Sequence, residues 1–535
     1  MLGKPFVYKT LFPVIALALS IVYGPMSLLH WAAPGWEQLT QAHEFVGILT
    51  KGAWYEPSRK KTDNPAFRPG DGAFLWEPGT HWTLGFAKEN LTGAPEVHRG
   101  LEEGRFLVAG YGRMPAEGIL DDLYARAVYL DDNTGRGGIL YASVDCIGLS
   151  NRDVNAIRAL AWEWARSAGI KSIQIAATHT HAGIDTVGLW DELPYDGKDA
   201  WFQQHLIEQT AAALKAAYEA RRDGRLFVGD TDISDMIEDT RTPEIFDPNL
   251  TCFRFQPASG NDVYLLSAGC HAEIAGPNNP MISGDFPAYA ARYIYDQTGA
   301  ESMFIQGAEG VLITVKDLQA ILDAHRDGDA SYGRGLVRPF GEEIAKRALA
   351  IANETELRPL LNVASREFEL PMENLSMILA VKIGLLNHEV YSTPFKPYKY
   401  ATTCELSYIR LGDKTHGVDI LCVPGELAPE IAFGGFLDAE NSSSGTAYPR
   451  KAIFEYLNAY DFASERQIVF GLCNNFIGYV IPDNDFHVEG LLPYMDIATD
   501  SLGRGHYEET SSAGPRTAGV ITEAFQSIFE NIKAM

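Results

Sequence analysis

The sequence predicts an α/β fold with mixed β-sheets flanked by helices. Three observations carry this. Residues 123–144 hold two apolar runs separated by a turn signal, a strand–helix–strand run follows at once to residue 177, and further apolar strands recur downstream with His, Gly or Glu just after them. A hairpin pairs strands antiparallel and a helical crossover pairs them parallel, so the two together give a mixed sheet.

The chain begins with a different kind of segment. Lys4 and Lys9 precede an apolar stretch from Leu11 to Val22 that continues more weakly to Leu29. Basic residues before an apolar run are the pattern of an export signal. The stretch approaches the roughly 20 apolar residues that span a bilayer, and no small-residue cleavage site follows it. Residues 1–30 are therefore expected to be a membrane anchor or signal segment that places the bulk of the chain outside the cytoplasm. From 31 to 105 Gly, Pro and isolated aromatics show no sustained periodicity, which reads as a linker and irregular leading segment. Order is expected from Phe106, giving one domain over 106–535.

Leu123–Leu130 alternates, Asp131–Gly135 is a turn signal, and Ile139–Val144 completes a hairpin. Ser150 with Asp153 three residues on is an N-cap pattern, and Val154, Ile157, Ala161 and Trp164 recur at helical spacing up to Gly169. Ile173–Ala177 is the next strand, and Thr178-His179-Thr180-His181-Ala182-Gly183 stands at its C-terminal edge, where such folds commonly carry catalytic groups. Val263–Cys270 reads as a buried strand with His271 directly after it. A helix follows to Thr298, stopped by Gly299. Val418–Val423 ends in Pro424-Gly425-Glu426, and Ile468–Phe470 leads into Gly471 through Tyr479. Ser376–Leu386 reads as a core helix, and the stretches around Asn441–Gly445 and from Asp483 to Gly505 as surface insertions.

Composition limits the functions. Asp and Glu number 70 against 44 Lys and Arg, a formal charge of -26, and that field repels nucleic acid and anionic surfaces. The six cysteines, 146, 252, 270, 404, 422 and 473, form no Cys-x-x-Cys pair, which argues against a Cys-based zinc or redox site. Chemistry falls instead to His and carboxylate. In an extended strand His179 and His181 would share one face, and two imidazoles with a further His and Glu suit a catalytic metal that keeps one position open. Taken singly, His179 and His181 also read as loop polar groups, His271 as a core histidine and Glu426 as a turn carboxylate.

Several segments together resemble the catalytic domain of the neutral, non-lysosomal ceramidases. They are Ala109–Met114, Leu123–Ala127, Ser143–Asp145, Thr178–Gly183, His271 with Ser283-Gly284-Asp285, Val423–Glu426, Gly471–Tyr479 and His506–Pro515. The resemblance runs from about 106 to 530 and leaves no room for the family's C-terminal immunoglobulin-like domain. It implies zinc held by His179, His271, Glu426 and Tyr479, with His181 as an acid–base group and Arg241 and Tyr507 near the scissile bond. Asp145 is a candidate carboxylate behind a ligand histidine. The implied reaction is hydrolysis of an N-acyl amide of a ceramide-like lipid, or of a related ester. A non-lipid amidase or esterase, or a zinc-bearing binding or sensor protein, are the alternatives. One motif departs from the family: Val311 and Ile313 stand where it has an Asp and a required Ser. Thr314 is one residue out of register, and Glu309 is an added carboxylate in the same loop.

Overall fold

The computed structural model describes residues 64–535, except 193–194, 318–331, 394–395, 491–492 and 533–535. Residues 1–30, expected to be a membrane anchor or signal segment, lie outside the described residues. Among those described, no helix is long and apolar enough to cross a membrane.

Two mixed sheets stack face to face. The larger has nine strands. Its main path runs from β1 (Trp82–Asn90) through β2 (Tyr124–Asp131) and β3 (Ile139–Val144) to β4 (Ser172–Ala177). On the other side of β1 it continues through β5 (Arg222–Asp232), β6 (Asn249–Pro257) and β7 (Val263–Ala268) to β8 (Glu301–Gln306). A short strand, Thr355–Leu357, pairs with β5. The β2–β3 pair is the expected antiparallel hairpin. β3 and β4 are parallel, joined by helix α1 (Asn151–Ser167), whose Ser150 and Asp153 form the expected capping box. β7 and β8 are also parallel, joined by α2 (Asp285–Thr298), which Gly299 ends in the left-handed conformation at φ 70°. The second sheet has five strands, in the order β9 (Leu361–Met372), β10 (Tyr400–Gly412), β11 (Gly417–Cys422) and β12 (Arg466–Phe470), with Val390–Ser392 paired to β10. β11 and β12 are parallel.

Side-chain alternation builds the layers. Along β2, Val128 and Leu130 point between the sheets and meet Ile409, Leu411 and Ile420 of the second sheet. Ala125, Ala127 and Tyr129 point the other way, onto α1 and the helix Ala200–Glu219. The outer face of the second sheet packs on helix Thr517–Asn531 through Tyr408, Phe525 and Phe529. The result is helix, sheet, sheet, helix, each face drying the next. Buried strands of this kind lose the clean polar alternation that marks a half-exposed sheet.

The leading segment is not irregular throughout. β1 lies between β2 and β5 in the interior of the larger sheet, so order begins well before Phe106. Gly85 obscured it. A Cβ there would stand 1.9 Å from the carbonyl oxygen of Ala217 in the covering helix, so the strand carries glycine because a helix backbone approaches it closely. Residues Leu375–Lys382 form a helix that buries Ile378, Ala380 and Val381 in the core, as expected. The 483–505 stretch is more than a surface insertion, because Asp485 and Asp500 are buried in it. All six cysteines are buried and free.

Candidate metal centre

The loops that leave the C-terminal ends of β4, β7, β8, β11 and β12 converge on one chamber. Glycine lets them meet. Gly471 donates its N–H to Gln306 O, and a Cβ on it would lie 2.4 Å from Gly307 O. Asn474 N–H bonds Ile175 O, and its side chain joins the buried Arg158–Glu405 pair beneath. The loop holding Tyr479 is thus stitched to both sheets.

His179 and His181 do not lie on an extended strand. β4 ends at Ala177, and His179 takes φ 62°, a left-handed conformation that non-glycine residues rarely adopt. Thr180 then bridges to Ala272 in parallel register, and His181 N–H bonds Ala272 O. Ser283 fixes the turn from the other side: its N–H bonds Ala182 O and its carbonyl accepts the Thr180 hydroxyl. The residues flanking the bridged pair, His179 and His181 on one segment and His271 and Glu273 on the other, gather at the chamber. The ring nitrogens of His179, His181 and His271 fall within 4.8 Å of one another.

Backbone carbonyls set two of the three rings. His179 Nδ1 stands 2.7 Å from Ile147 O, and His271 Nδ1 2.9 Å from Ile313 O. A carbonyl can only accept, so both Nδ1 atoms carry hydrogen, and in the neutral ring each Nε2 presents its lone pair inward. Those lone pairs face Glu426 Oε2, at 3.6 Å from His179 and 3.2 Å from His271. Three acceptors pointing at one spot repel unless a cation or a proton stands between them. The donor set therefore fits a divalent metal ion. Glu426 comes from the short strand Glu426–Leu427, paired with Tyr479–Val480 so that Glu426 and Tyr479 are register partners. The Tyr479 ring stacks near His271, centroids 6.4 Å apart.

His181 differs from the other two. Its Nε2 is 3.2 Å from His179 Nε2, but no carbonyl fixes its tautomer. Nδ1 is buried without a hydrogen-bond partner, with Glu273 Oε2 at 3.8 Å. Glu273 in turn accepts from Tyr111 Oη at 2.8 Å and Thr314 Oγ1 at 2.7 Å. Glu273 and Tyr111 were missed in the sequence, although His271-Ala272-Glu273 repeats the alternation of His179-Thr180-His181.

Charges in the chamber perturb one another strongly. Burial holds His179 down at about 3 despite Glu426. Burial would lower His271 too, but the hydrogen bond it donates to Glu426 and the charges of Glu309, Glu273 and Glu426 outweigh it and raise it to about 10. A metal ion at the same place would satisfy those carboxylates and displace that proton. Burial lifts the Tyr479 phenol well above its ordinary value, with Glu426 adding.

Tyr507 stands at the mouth, 45% exposed, its ring edge-on to Tyr479 with centroids 6.3 Å apart. Arg241 is placed differently. Its guanidinium is committed to Asp485 at 3.1 Å, Glu508 at 2.7 Å and Glu509 at 3.0 Å, and it also reaches Asp485 O. It clamps the segment that carries Tyr507 and lies nearly buried itself. Asp145 meets neither His179 nor His271; it accepts from Arg126 at 2.7 Å and from Tyr124 N–H at 2.8 Å, and the expected support behind the rings comes from carbonyls instead. Ile313 packs its side chain into an apolar cluster with Ile237, Cys270 and Ala272.

No family model matches the chain. Two solved structures share its architecture. One is a neutral ceramidase from Pseudomonas aeruginosa, with TM-score 0.58 and 16% identity over 85% of this chain and 75% of that one. The other is a ceramidase complexed with C2, with TM-score 0.59 and 16% identity over 85% and 76% of the two chains. The mixed sheets and flanking helices of this chain are thus the fold of neutral ceramidase.

Proposed function

We propose that the chain is a metal-dependent hydrolase of an N-acyl amide or related ester, with zinc as the ion and a ceramide-like lipid as the substrate class. The observation that carries this is the convergence of His179 Nε2, His271 Nε2 and Glu426 Oε2 as three acceptors on one spot. The ceramidase fold supports the acyl-amide chemistry.

His179, His271 and Glu426 hold the ion in this reading, with Tyr479 completing the set. A bound zinc ion supplies Lewis acidity and lowers the pKa of water to about 7. The protein's own groups do the rest. His181, whose tautomer no carbonyl fixes, accepts the proton of the attacking water and passes it to the leaving nitrogen or oxygen. Tyr507, half-exposed at the mouth, offers its hydroxyl to the acyl oxygen as charge develops there. Arg241 acts through Tyr507 by holding its segment. Tyr111, 39% exposed, forms the opposite wall with its ring edge-on to His181 at 5.3 Å. The export segment places this activity outside the cytoplasm and tethers it beside lipid.

One observation favours a second reading, a metal-bearing binding or sensor protein. Ile313 offers no hydroxyl and is fully buried. A single experiment separates the two. The full chain, purified in detergent without chelator, is assayed for metal by mass spectrometry and for release of fatty acid from short N-acyl and ester probes. One zinc with turnover supports the hydrolase. Zinc with binding but no acid release supports the sensor, and a folded chain that takes up no zinc sinks both.

A further inference from the structure

Glu309 lies in the loop after β8 that departs from the ceramidase pattern. The loop is pressed between two ligand-bearing segments. Gly310 N–H bonds Leu427 O at 3.0 Å, and a Cβ on Gly310 would lie 2.3 Å from Glu426 O, so only glycine allows that approach. On the other side Ile313 N–H bonds Glu309 O, while Ile313 O receives both the backbone and ring N–H of His271. Val311 and Leu312 take φ of 64° and 66°, a left-handed pair that costs of order 1–3 kcal/mol per residue. The chain tolerates that strain to hold the loop where it is.

The Glu309 side chain is wholly buried, and neither of its oxygens has a hydrogen-bond partner. The charged groups acting on it are His271, Glu426 and Glu273. An unpartnered buried carboxylate is costly, and two of its three charged neighbours repel it. No packing argument explains an acid there, whereas a cation in the chamber does.

We propose that Glu309 is an added carboxylate donor of the metal chamber, facing the ion held by His179, His271 and Glu426 and raising the chain's affinity for it. The inference rests on the metal reading above but goes beyond it, assigning a binding role to the one loop that diverges. Two consequences follow. Removing the carboxylate weakens metal binding, while in the metal-free protein it removes only a buried carboxyl group that makes no hydrogen bond.

The test is a zinc competition against a chromophoric chelator, with thermal unfolding of the metal-free chain alongside, on the wild type, Glu309→Gln and Glu309→Ala. Zinc affinity is expected to fall about 10–100-fold in both variants, the scale typical of supporting groups at metal sites, while the metal-free midpoint of Glu309→Gln stays close to that of the wild type. The alanine variant keeps the test open if glutamine disturbs folding. Unchanged affinity in a wild type that does bind zinc overturns this inference and leaves the hydrolase reading standing. A lowered metal-free midpoint with unchanged affinity makes Glu309 a packing group and also overturns it. A wild type that binds no zinc brings down both readings at once.

Discussion

His271 Nε2 stands 3.2 Å from Glu426 Oε2 while its Nδ1–H is given to Ile313 O, so a metal ion or a proton must stand between that nitrogen and the carboxylate. Acceptor against acceptor at that distance is stable only around a positive charge. Wild-type chain should carry close to one zinc, and His271→Ala should lose it. Adding zinc to metal-free protein at about 100 times the dissociation constant should stabilise it by about 2.7 kcal/mol. A thermal shift with zinc that persists undiminished in His271→Ala would contradict the assignment.

His181 shares the chamber but not the anchoring. His181→Ala should therefore keep the metal and lose rate, by about 10²–10⁴-fold for a missing proton-transfer group. Metal analysis and initial rates on the same preparation decide it. Loss of zinc from this variant would make His181 a ligand.

Arg241 and Tyr507 should separate by readout. Arg241→Met removes the cation shared by Asp485, Glu508 and Glu509 and leaves only Arg504 on Asp485 and His506 on Glu509, and breaking a buried ion pair costs about 3–5 kcal/mol. Urea unfolding should show that loss. Tyr507→Phe removes one hydroxyl from a half-exposed ring, so its midpoint and zinc content should match the wild type while turnover falls. Equal destabilisation in the two variants would mean that Tyr507 is a packing residue.

Asp121 gives the pH prediction. It accepts from the Ser283 hydroxyl and Gly284 N–H, yet burial, with Asp145 and Asp285 nearby, raises its carboxyl to about 7. Tyr289 hydrogen-bonds it as well. Below pH 3.8 both folded and unfolded chains hold the proton and the contribution is fully present. Between pH 3.8 and about 7 the unfolded chain releases it while the folded one keeps it, so this stability is lost as pH rises and is gone above 7. The loss amounts to a few kcal/mol at most, from about 1.4 kcal/mol per unit. Asp121→Asn should flatten that part of a stability-against-pH curve measured by urea unfolding. An unchanged slope would show that Asp121 does not carry it.

Much of the site was legible because strand ends are. Apolar runs announce β4, β7 and β11, and polar residues within four positions of their ends, His179, His271 and Glu426, reach the chamber since a sheet edge is where the core stops. The register of Glu273 was also present in the alternation of His271-Ala272-Glu273, but a carboxylate two residues past a histidine has no meaning until Thr180 is paired with Ala272. β1 was hidden because Gly85 serves a helix carbonyl more than 100 residues away.

By itself the sequence determined the α/β class, the hairpin and crossover at its start, and which polar residues stand at strand ends, because these follow from periodicity and local capping. Only the tertiary structure decided which ring nitrogens face inward, since that depends on the carbonyls of Ile147 and Ile313, and every residue has a carbonyl. It alone committed Arg241 to three carboxylates from the 483–509 segment. It alone left Glu309 buried without a partner, because burial belongs to the loops folded over a side chain and not to the side chain.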